Sequence, residues 1–216
     1  MPRPEVITLT NGAFVENCYL VIDRARGEAV IVDPGEDAAL FLDRLRAEDV
    51  TLTGIWLTHA HLDHVLGVAR VADATGVDIW LHPADRPLYD HIPDQAAVWM
   101  QQRVAPPPPP QHALAAGDVV TVGTHRFAVR HVPGHSPGSV AFVGHGMAFV
   151  GDALFAGSVG RVDLPGGDGA ALLESITDQL LTLPDETVVY SGHGPATTIG
   201  QERASNPFLT GEYRLV

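Results

Sequence analysis

Three histidines and one aspartate occupy six consecutive positions in the first third of the sequence. They lie in the segment Thr58-His59-Ala60-His61-Leu62-Asp63-His64, between an apolar run and a helical pattern. Side chains two residues apart in an extended chain point the same way, so His59 and His61 can converge on one point. Asp63 and His64 lie where the chain turns into the helix and can face a second point nearby. Burying so many polar groups together is costly unless a metal pairs with them, so the segment predicts a site for zinc, iron or manganese.

Three more candidate ligands stand at the ends of predicted strands. His135 lies in a Pro-Gly-His-Ser-Pro-Gly segment, Asp152 follows an apolar run and a glycine, and His193 is flanked by Gly192 and Gly194. Functional residues collect at such strand ends, and glycine allows the backbone to approach closely. The predicted metal ligands are therefore His59, His61, Asp63, His64, His135, Asp152 and His193.

The other reactive side chains of the sequence are not predicted to bind metal. Arg161 follows a glycine-rich segment and is predicted either to contact a substrate anion or to form a salt bridge with a residue such as Asp163. Cys18 is interpreted as a small buried hydrophobic residue. No Ser-His-Asp or Cys-His arrangement competes with the metal site. The remaining histidines have no ligand spacing to one another and are interpreted as surface or core residues, with a supporting role beside the metal as the alternative for His131: His82, His91, His112, His125, His131 and His145.

The hydrophobic pattern predicts strands and helices that repeat in two halves. The predicted strands cover residues 6–9, 18–22, 29–32, 54–57, 78–81, 119–122, 126–132, 139–143, 147–150 and 187–190, and the predicted helices cover residues 37–48, 65–74, 95–104 and 170–183. Strands followed by strand–helix units, repeated once, indicate two sheets with helices outside. We expect an α/β fold of the four-layer α/β/β/α type, formed by one domain over residues 1–216.

Composition and charge argue against several classes of partner. The 13 basic and 26 acidic residues give a net charge of −13, which disfavours nucleic acids and anionic membranes. Because Cys18 is the only cysteine, an internal disulfide is excluded. The sequence lacks the apolar run of a signal peptide or a membrane span. We expect a cytoplasmic protein without a membrane partner.

These motifs, in this order, resemble the metallo-β-lactamase superfamily and within it the glyoxalase II (hydroxyacylglutathione hydrolase) branch. The resemblance extends from Asn17-Cys18-Tyr19-Leu20 to Asn206-Pro207-Phe208-Leu209 and is sharpest at residues 58–64, 133–139, 151–163 and 192–195. It implies the α/β/β/α fold, one metal held by His59, His61 and His135, and a second held by Asp63, His64 and His193. It also implies that Asp152 bridges the two ions. Full-length glyoxalase II has a C-terminal helical domain that binds glutathione, and we expect this chain to lack it, as the shorter single-domain members do.

The resemblance implies a hydrolase that attacks a small-molecule thioester such as S-lactoylglutathione with a hydroxide activated by two divalent metal ions. Zinc is the first expectation for the metal, with iron or manganese as alternatives, and Asp63 and Asp152 are the expected catalytic residues. The alternatives are a persulfide dioxygenase with a single iron on His59, His135 and Asp152, a lactonase or another ester hydrolase, and a metal-binding protein without catalysis. A class B β-lactamase is disfavoured because Asp152 stands where those enzymes often have a cysteine. The sequence leaves the oligomeric state open, a homodimer included, and residues 89–110 are the predicted cover of the pocket.

Overall fold

Two six-stranded β-sheets form the centre of the protein in the computed structural model, which describes residues 3–215. The strands are β1 (Glu5–Asn11), β2 (Glu16–Asp23), β3 (Glu28–Val32), β4 (Thr51–Trp56), β5 (Ile79–Leu81), β6 (His112–Ala113), β7 (Val119–Val122), β8 (His125–His131), β9 (Val140–Gly144), β10 (Met147–Gly151), β11 (Leu154–Phe155), β12 (Ser158–Val159), β13 (Val188–Ser191) and β14 (Thr197–Thr198). The α-helices are α1 (Ala38–Glu48), α2 (Leu62–Val65), α3 (Val68–Thr75), α4 (Arg86–Asp90), α5 (Ile92–Trp99), α6 (Gly169–Ser175) and α7 (Ile199–Ser205). A 3₁₀ turn (Pro83–Asp85) precedes α4, and a π-helical turn (Ile176–Leu180) follows α6.

The first sheet has the strand order β1-β2-β3-β4-β5-β6. Its first three strands are antiparallel, and β3 to β6 run parallel. All eight residues of β2 are buried, as expected of a strand that is covered on both faces. Leu20 and Ile22 face Phe41 of α1 and Val68 of α3, so these helices cover the outer face of the sheet.

The second sheet has the order β14-β13-β10-β9-β8-β7, and its only parallel pair among residues 3–215 is β10 with β13. Its outer face carries Ala148 and Val150 of β10, which pack against Leu172 of α6, Ile176 and Ile199 of α7.

An aromatic core joins the inner faces of the two sheets. Trp56 of the first sheet lies 5.7 Å from Phe127 and 5.2 Å from Phe142 of the second, measured between ring centroids. Tyr19 of β2 makes an edge contact of 5.4 Å with Phe149 of β10. Helices therefore lie outside two stacked sheets, and the predicted four-layer α/β/β/α sandwich is confirmed.

Several predicted boundaries are wrong. The helix expected over residues 65–74 is interrupted at Gly67, whose amide donates a 3.0 Å hydrogen bond to the Pro34 carbonyl and where a Cβ atom would collide with the Gly35 carbonyl. The helix expected over residues 95–104 begins at Ile92 and ends at Trp99. The last predicted helix loses α-helical geometry after Ser175. Helices α4 and α7 and the two-residue strands were not predicted, because such short elements carry little periodicity.

The proline run at residues 106–110 connects α5 to β6. Tyr89 anchors it by donating a 2.7 Å hydrogen bond to the Pro108 carbonyl. None of the helices described between residues 3 and 215 is long and apolar enough to cross a membrane.

Candidate metal centre

All seven predicted ligands follow strand ends at one edge of the sandwich. In the first sheet, β4 leads into the segment from His59 to His64. In the second sheet, His135, Asp152 and His193 follow β8, β10 and β13. Strands of both sheets end at this edge, and the loops that follow them bring the ligands together from four segments of the chain.

His59, His61 and His135 form the first group. One nitrogen from each ring lies within 4.8 Å of the others, and Nδ1 of His61 is 2.8 Å from Nε2 of His135. All three side chains are buried.

Asp63, His64 and His193 form the second group, whose ligand atoms also lie within 4.8 Å of one another. The Asp63 carboxylate is 3.2 Å from Nε2 of His193 and 3.8 Å from Nε2 of His64. Both carboxylate and imidazole donors are therefore available at this point.

Asp152 lies between the two groups. One carboxylate oxygen is 3.4 Å from Nε2 of His64, and the other is 3.6 Å from Nε2 of His135 and 3.5 Å from Nε2 of His193. A single carboxylate thus contacts both groups, which is the arrangement that a bridging ligand requires.

The chemistry of these atoms fits two divalent cations. Within residues 3–215, Nε2 of His59, Nε2 of His64 and one oxygen of Asp152 are buried and lack a hydrogen-bond partner. A buried polar group without a partner costs about 1–3 kcal/mol, and several such groups aimed at one place are stable only if a cation pairs with them. Imidazole and carboxylate donors suit zinc, iron and manganese.

Hydrogen bonds on the far side of the rings fix the direction of the ligand atoms. The Asp33 carboxylate accepts from the Thr58 amide at 2.7 Å and lies 3.1 Å from Nδ1 of His64. The Thr58 hydroxyl also bonds Asp33 and lies 3.0 Å from Nδ1 of His59. Because these contacts engage Nδ1, both imidazoles present Nε2 to the metal site. Hydrogen-bonding groups around metal sites commonly orient ligand histidines in this way.

A second buried carboxylate joins the loops that carry the first group. Asp85 accepts hydrogen bonds from the Ala60 amide at 2.9 Å, from the Ser136 hydroxyl at 2.7 Å and from the Gly138 amide. Ala60 lies between His59 and His61, and Ser136 follows His135. Asp85 therefore sets the spacing of the two loops.

Gly192 is required by close packing at the site. A Cβ atom at this position would collide with Asp152 and with His64. The glycine lets the loop that carries His193 approach the other ligands.

The electrostatics divide the histidines into two kinds. Burial and neighbouring imidazoles lower the pKa of His59 well below its usual value and lower the pKa of His61 to about 3. Burial also disfavours charge on His64, but the carboxylates of Asp152 and Asp63 outweigh it and raise its pKa. The same carboxylates raise the pKa of His193 to about 10 against the effect of burial.

The two carboxylates respond in the opposite direction. Burial favours their neutral forms, yet His64 and His193 lower the pKa of both Asp63 and Asp152. Both carboxylates are therefore ionised at neutral pH and available to a cation.

The other residues considered in the sequence analysis lie outside the two ligand groups. Arg161 forms the salt bridge with Asp163, with two contacts of 2.7 Å, while its side chain also lines the cavity above the metal centre. Its backbone carbonyl accepts a 2.8 Å hydrogen bond from Nδ1 of His135, a supporting role that the sequence did not predict. Nε2 of His131 lies 2.9 Å from the Pro137 carbonyl, on the loop that carries His135. Cys18 is buried, and burial raises its pKa.

Asp33, Thr58 and Asp85 are supporting residues that the ligand pattern does not single out. The sequence around Asp33 indicates only a turn, and Asp85 lies in no motif. Both follow parallel strands, β3 and β5, on either side of the strand that leads to the main ligand segment. Acidic residues at the ends of strands adjacent to β4 are the signal that could have found them.

The metal centre lies at the floor of a cavity of 420 Å³. From the stretch that we expected to cover the pocket, residues 89–110, Gln95 and Trp99 of α5 line the cavity. The proline run of that stretch is not among the lining residues.

Comparison with known proteins identifies the family. The family model described as the metallo-beta-lactamase superfamily matches residues 11–193. The chain belongs to the metallo-beta-lactamase superfamily. It is also 38% identical over 208 residues to the hydroxyacylglutathione hydrolase GloC of Haemophilus influenzae, a match that covers 95% of this chain and 97% of the relative. The resemblance predicted from the motifs is confirmed, and the chain is a metallo-hydrolase of this superfamily.

Solved structures of the superfamily share the fold closely. The BLEG-1 B3 metallo-beta-lactamase superposes with a TM-score of 0.90 and 41% identity, over 96% of this chain and 100% of that one. TTHA1623 in a di-iron-bound form gives 0.87 and 43%, over 94% and 100%. ETHE1 from Myxococcus xanthus gives 0.81 and 28%, over 96% and 85%. Because TTHA1623 binds two iron ions in the same fold, the fold alone does not identify the metal of this chain as zinc.

Proposed function

We propose that this metallo-hydrolase cleaves thioesters, with S-lactoylglutathione as the first candidate substrate. The observation that carries the proposal is the pair of complete ligand groups that share Asp152 at the floor of one cavity. The match to a relative named hydroxyacylglutathione hydrolase over nearly the whole chain supports the same reaction.

The chain's own groups suit this reaction. Two divalent ions, when bound, would polarise a carbonyl and lower the pKa of water to about 7. Asp63 lies at the cavity floor with a lowered pKa, so its carboxylate can accept a hydrogen bond from the attacking water and orient it. Asp152, which contacts both groups, fixes their separation.

The departing group needs little help from the protein. A thiolate is a good leaving group, so no strong general acid is required. Apart from Asp63 and Asp152, the side chains described around the cavity include no carboxylic acid, which agrees with this requirement. The site is better suited to thioesters than to substrates whose leaving group must be protonated.

The test is steady-state hydrolysis of S-lactoylglutathione by protein of measured metal content, loaded separately with zinc, iron or manganese. We expect kcat/KM of at least about 10⁴ M⁻¹s⁻¹ with one of these metals. Asp152→Ala should lower kcat/KM by at least about 10²-fold, since even residues outside the ligand set typically cost 10- to 100-fold. Asp94→Ala, an exposed aspartate on α5, is the matched control and should retain full activity.

Two other outcomes identify rival activities. Oxygen uptake with glutathione persulfide by the iron-loaded protein, without thioester turnover, would indicate a dioxygenase with one iron on His59, His135 and Asp152. Turnover of a cephalosporin would assign this chain the activity named for the BLEG-1 structure. Absence of thioester turnover with all three metals would refute the proposed function.

A further inference from the structure

The cavity above the metal centre has mostly apolar walls. Apart from the metal ligands, its described lining consists of six apolar and two polar side chains. The apolar residues, which we call the apolar wall, are Phe14, Leu62, Trp99, Phe155, Val159 and Leu164. A cavity of 420 Å³ falls within the range of small-molecule sites, about 300–1,000 Å³.

Both polar side chains of the lining already have partners within the chain. The Gln95 amide accepts from the Leu62 backbone amide at 3.1 Å and donates to the Leu88 carbonyl at 2.8 Å. The Arg161 guanidinium is engaged by both oxygens of Asp163. An apolar substituent loses no hydrogen bonds to water when it enters this lining, whereas a polar group that entered it would find few free partners there.

The two aromatic residues at the mouth of the cavity are exposed but lie on anchored segments. Phe14 is 40% exposed and Trp99 is 56% exposed. Phe14 lies in the β1–β2 turn, where the Ala13 amide donates a 2.8 Å hydrogen bond to Glu36. Trp99 ends α5, the helix that Gln95 ties to Leu62. Two aromatic rings from distant parts of the chain therefore border one cavity and leave apolar surface uncovered.

We propose that the apolar wall binds an apolar group of the substrate, so that the enzyme prefers thioesters with an aryl or alkyl substituent. The inference rests on the proposed function, because the reacting carbonyl must lie at the metal centre while the rest of the molecule extends along the wall. The apolar group belongs either to the acyl part or to the thiol part of the thioester. Trp99 and Phe14 are the residues that determine this preference.

Two substrate pairs distinguish these sources. S-mandeloylglutathione and S-lactoylglutathione differ by a phenyl group in place of a methyl group in the acyl part. The S-benzyl and S-ethyl thioesters of lactic acid differ by the same exchange in the thiol part. For each pair, the ratio of kcat/KM values is measured in the wild type, in Trp99→Ala and in Phe14→Ala, so that intrinsic differences in reactivity cancel between the proteins.

In one of the two pairs, burial of the phenyl group against the apolar wall should make kcat/KM about 10- to 100-fold higher for the phenyl compound than for its partner. We expect Trp99→Ala to reduce that ratio at least about fivefold, and Phe14→Ala to reduce it in the same pair. Val98→Ala, whose side chain is 73% exposed beside Trp99 and is not part of the cavity lining, is the matched control and should leave both ratios unchanged. The inference would be overturned if neither Trp99→Ala nor Phe14→Ala reduced the kcat/KM ratio of either pair by this amount.

A binding measurement separates this inference from the proposed function. S-benzyl-N-acetylcysteamine and its S-methyl analogue are thioethers without a thioester bond, and calorimetry gives their affinities directly. We expect the benzyl compound to bind at least about tenfold more tightly, with the difference lost in Trp99→Ala and kept in Val98→Ala. If the benzyl compound binds more tightly but no thioester is hydrolysed, the proposed function is refuted and the binding role of the apolar wall is supported. If thioesters are hydrolysed but the benzyl compound binds no more tightly, the proposed function is supported and the role of the apolar wall is refuted.

Discussion

Replacing Asp85 by asparagine tests whether a buried carboxylate positions the first group of metal ligands. Asp85 contacts no predicted ligand side chain through a hydrogen bond. It acts on the backbone at Ala60 and Gly138 and on the Ser136 hydroxyl. If this bridge sets the spacing between the two loops, its loss must weaken metal binding as well as stability.

The structure gives the magnitude of the effect. Asparagine keeps one acceptor oxygen, so its amino group must face one of the two backbone N–H groups that Asp85 now accepts from. One buried N–H then loses its partner, which costs about 1–3 kcal/mol. For a domain of this size, 1 kcal/mol corresponds to about 2–4 °C in Tm, so we expect the metal-free Tm to fall by about 2–12 °C. Metal affinity should fall about 10- to 100-fold.

The assay is competition for zinc with a chromophoric chelator, combined with thermal unfolding of the metal-free protein. Asp90→Asn is the matched control, because Asp90 is an exposed partner of Arg86 and such pairs contribute little. Its metal affinity should equal that of the wild type. If Asp85→Asn lost stability but bound both ions as tightly as the wild type, Asp85 would be purely structural and the positioning argument would be wrong.

Two further substitutions test the support of the site and the contact between the sheets. Thr58→Val removes the hydroxyl between Asp33 and His59, and the same chelator competition should show about tenfold weaker zinc binding, restored in Thr58→Ser; equal affinity in all three proteins would contradict this. Asp23→Ala removes hydrogen bonds from the Thr124 amide and hydroxyl, which tie β2 to the β7–β8 turn, and should cost about 2 kcal/mol in urea unfolding at pH 7. The Thr124 amide lowers the pKa of Asp23, so the part of this stabilisation that depends on the carboxylate charge is complete above its unfolded pKa of about 3.9 and is lost as the pH falls through the lowered value. A stability difference that stayed constant down to pH 2 would contradict this assignment.

The parts of the fold and site that the sequence predicted are those with local signals. The continuous apolar run of β2 indicates a buried strand in the sequence itself, and the structure buries Tyr19 toward the second sheet and Leu20 toward the helices. The segment from His59 to His64 carries three imidazoles and a carboxylate, and so many ligand groups in six positions indicate a metal site without any knowledge of the fold. Its placement at the end of β4 required only a local prediction of a strand.

The parts that were missed depend on contacts between distant segments. Asp33 and Asp85 each lie 25 positions from the residue they support in the main ligand segment, and their roles follow from the alignment of β3, β4 and β5 in one sheet. A single acid after a strand has no pattern that distinguishes support from a turn. The break at Gly67 likewise arises from packing against the backbone at Pro34 and Gly35, not from the local sequence.

The central claim is that two adjacent cations share Asp152, and titration of the metal-free protein with manganese, followed by electron paramagnetic resonance, tests it most directly. Ions in two-metal sites lie about 3.5–4 Å apart, close enough for their spins to couple. We predict two equivalents of manganese per chain and a coupled spectrum that Asp152→Ala abolishes. One equivalent, or two equivalents with uncoupled spectra, would contradict the account.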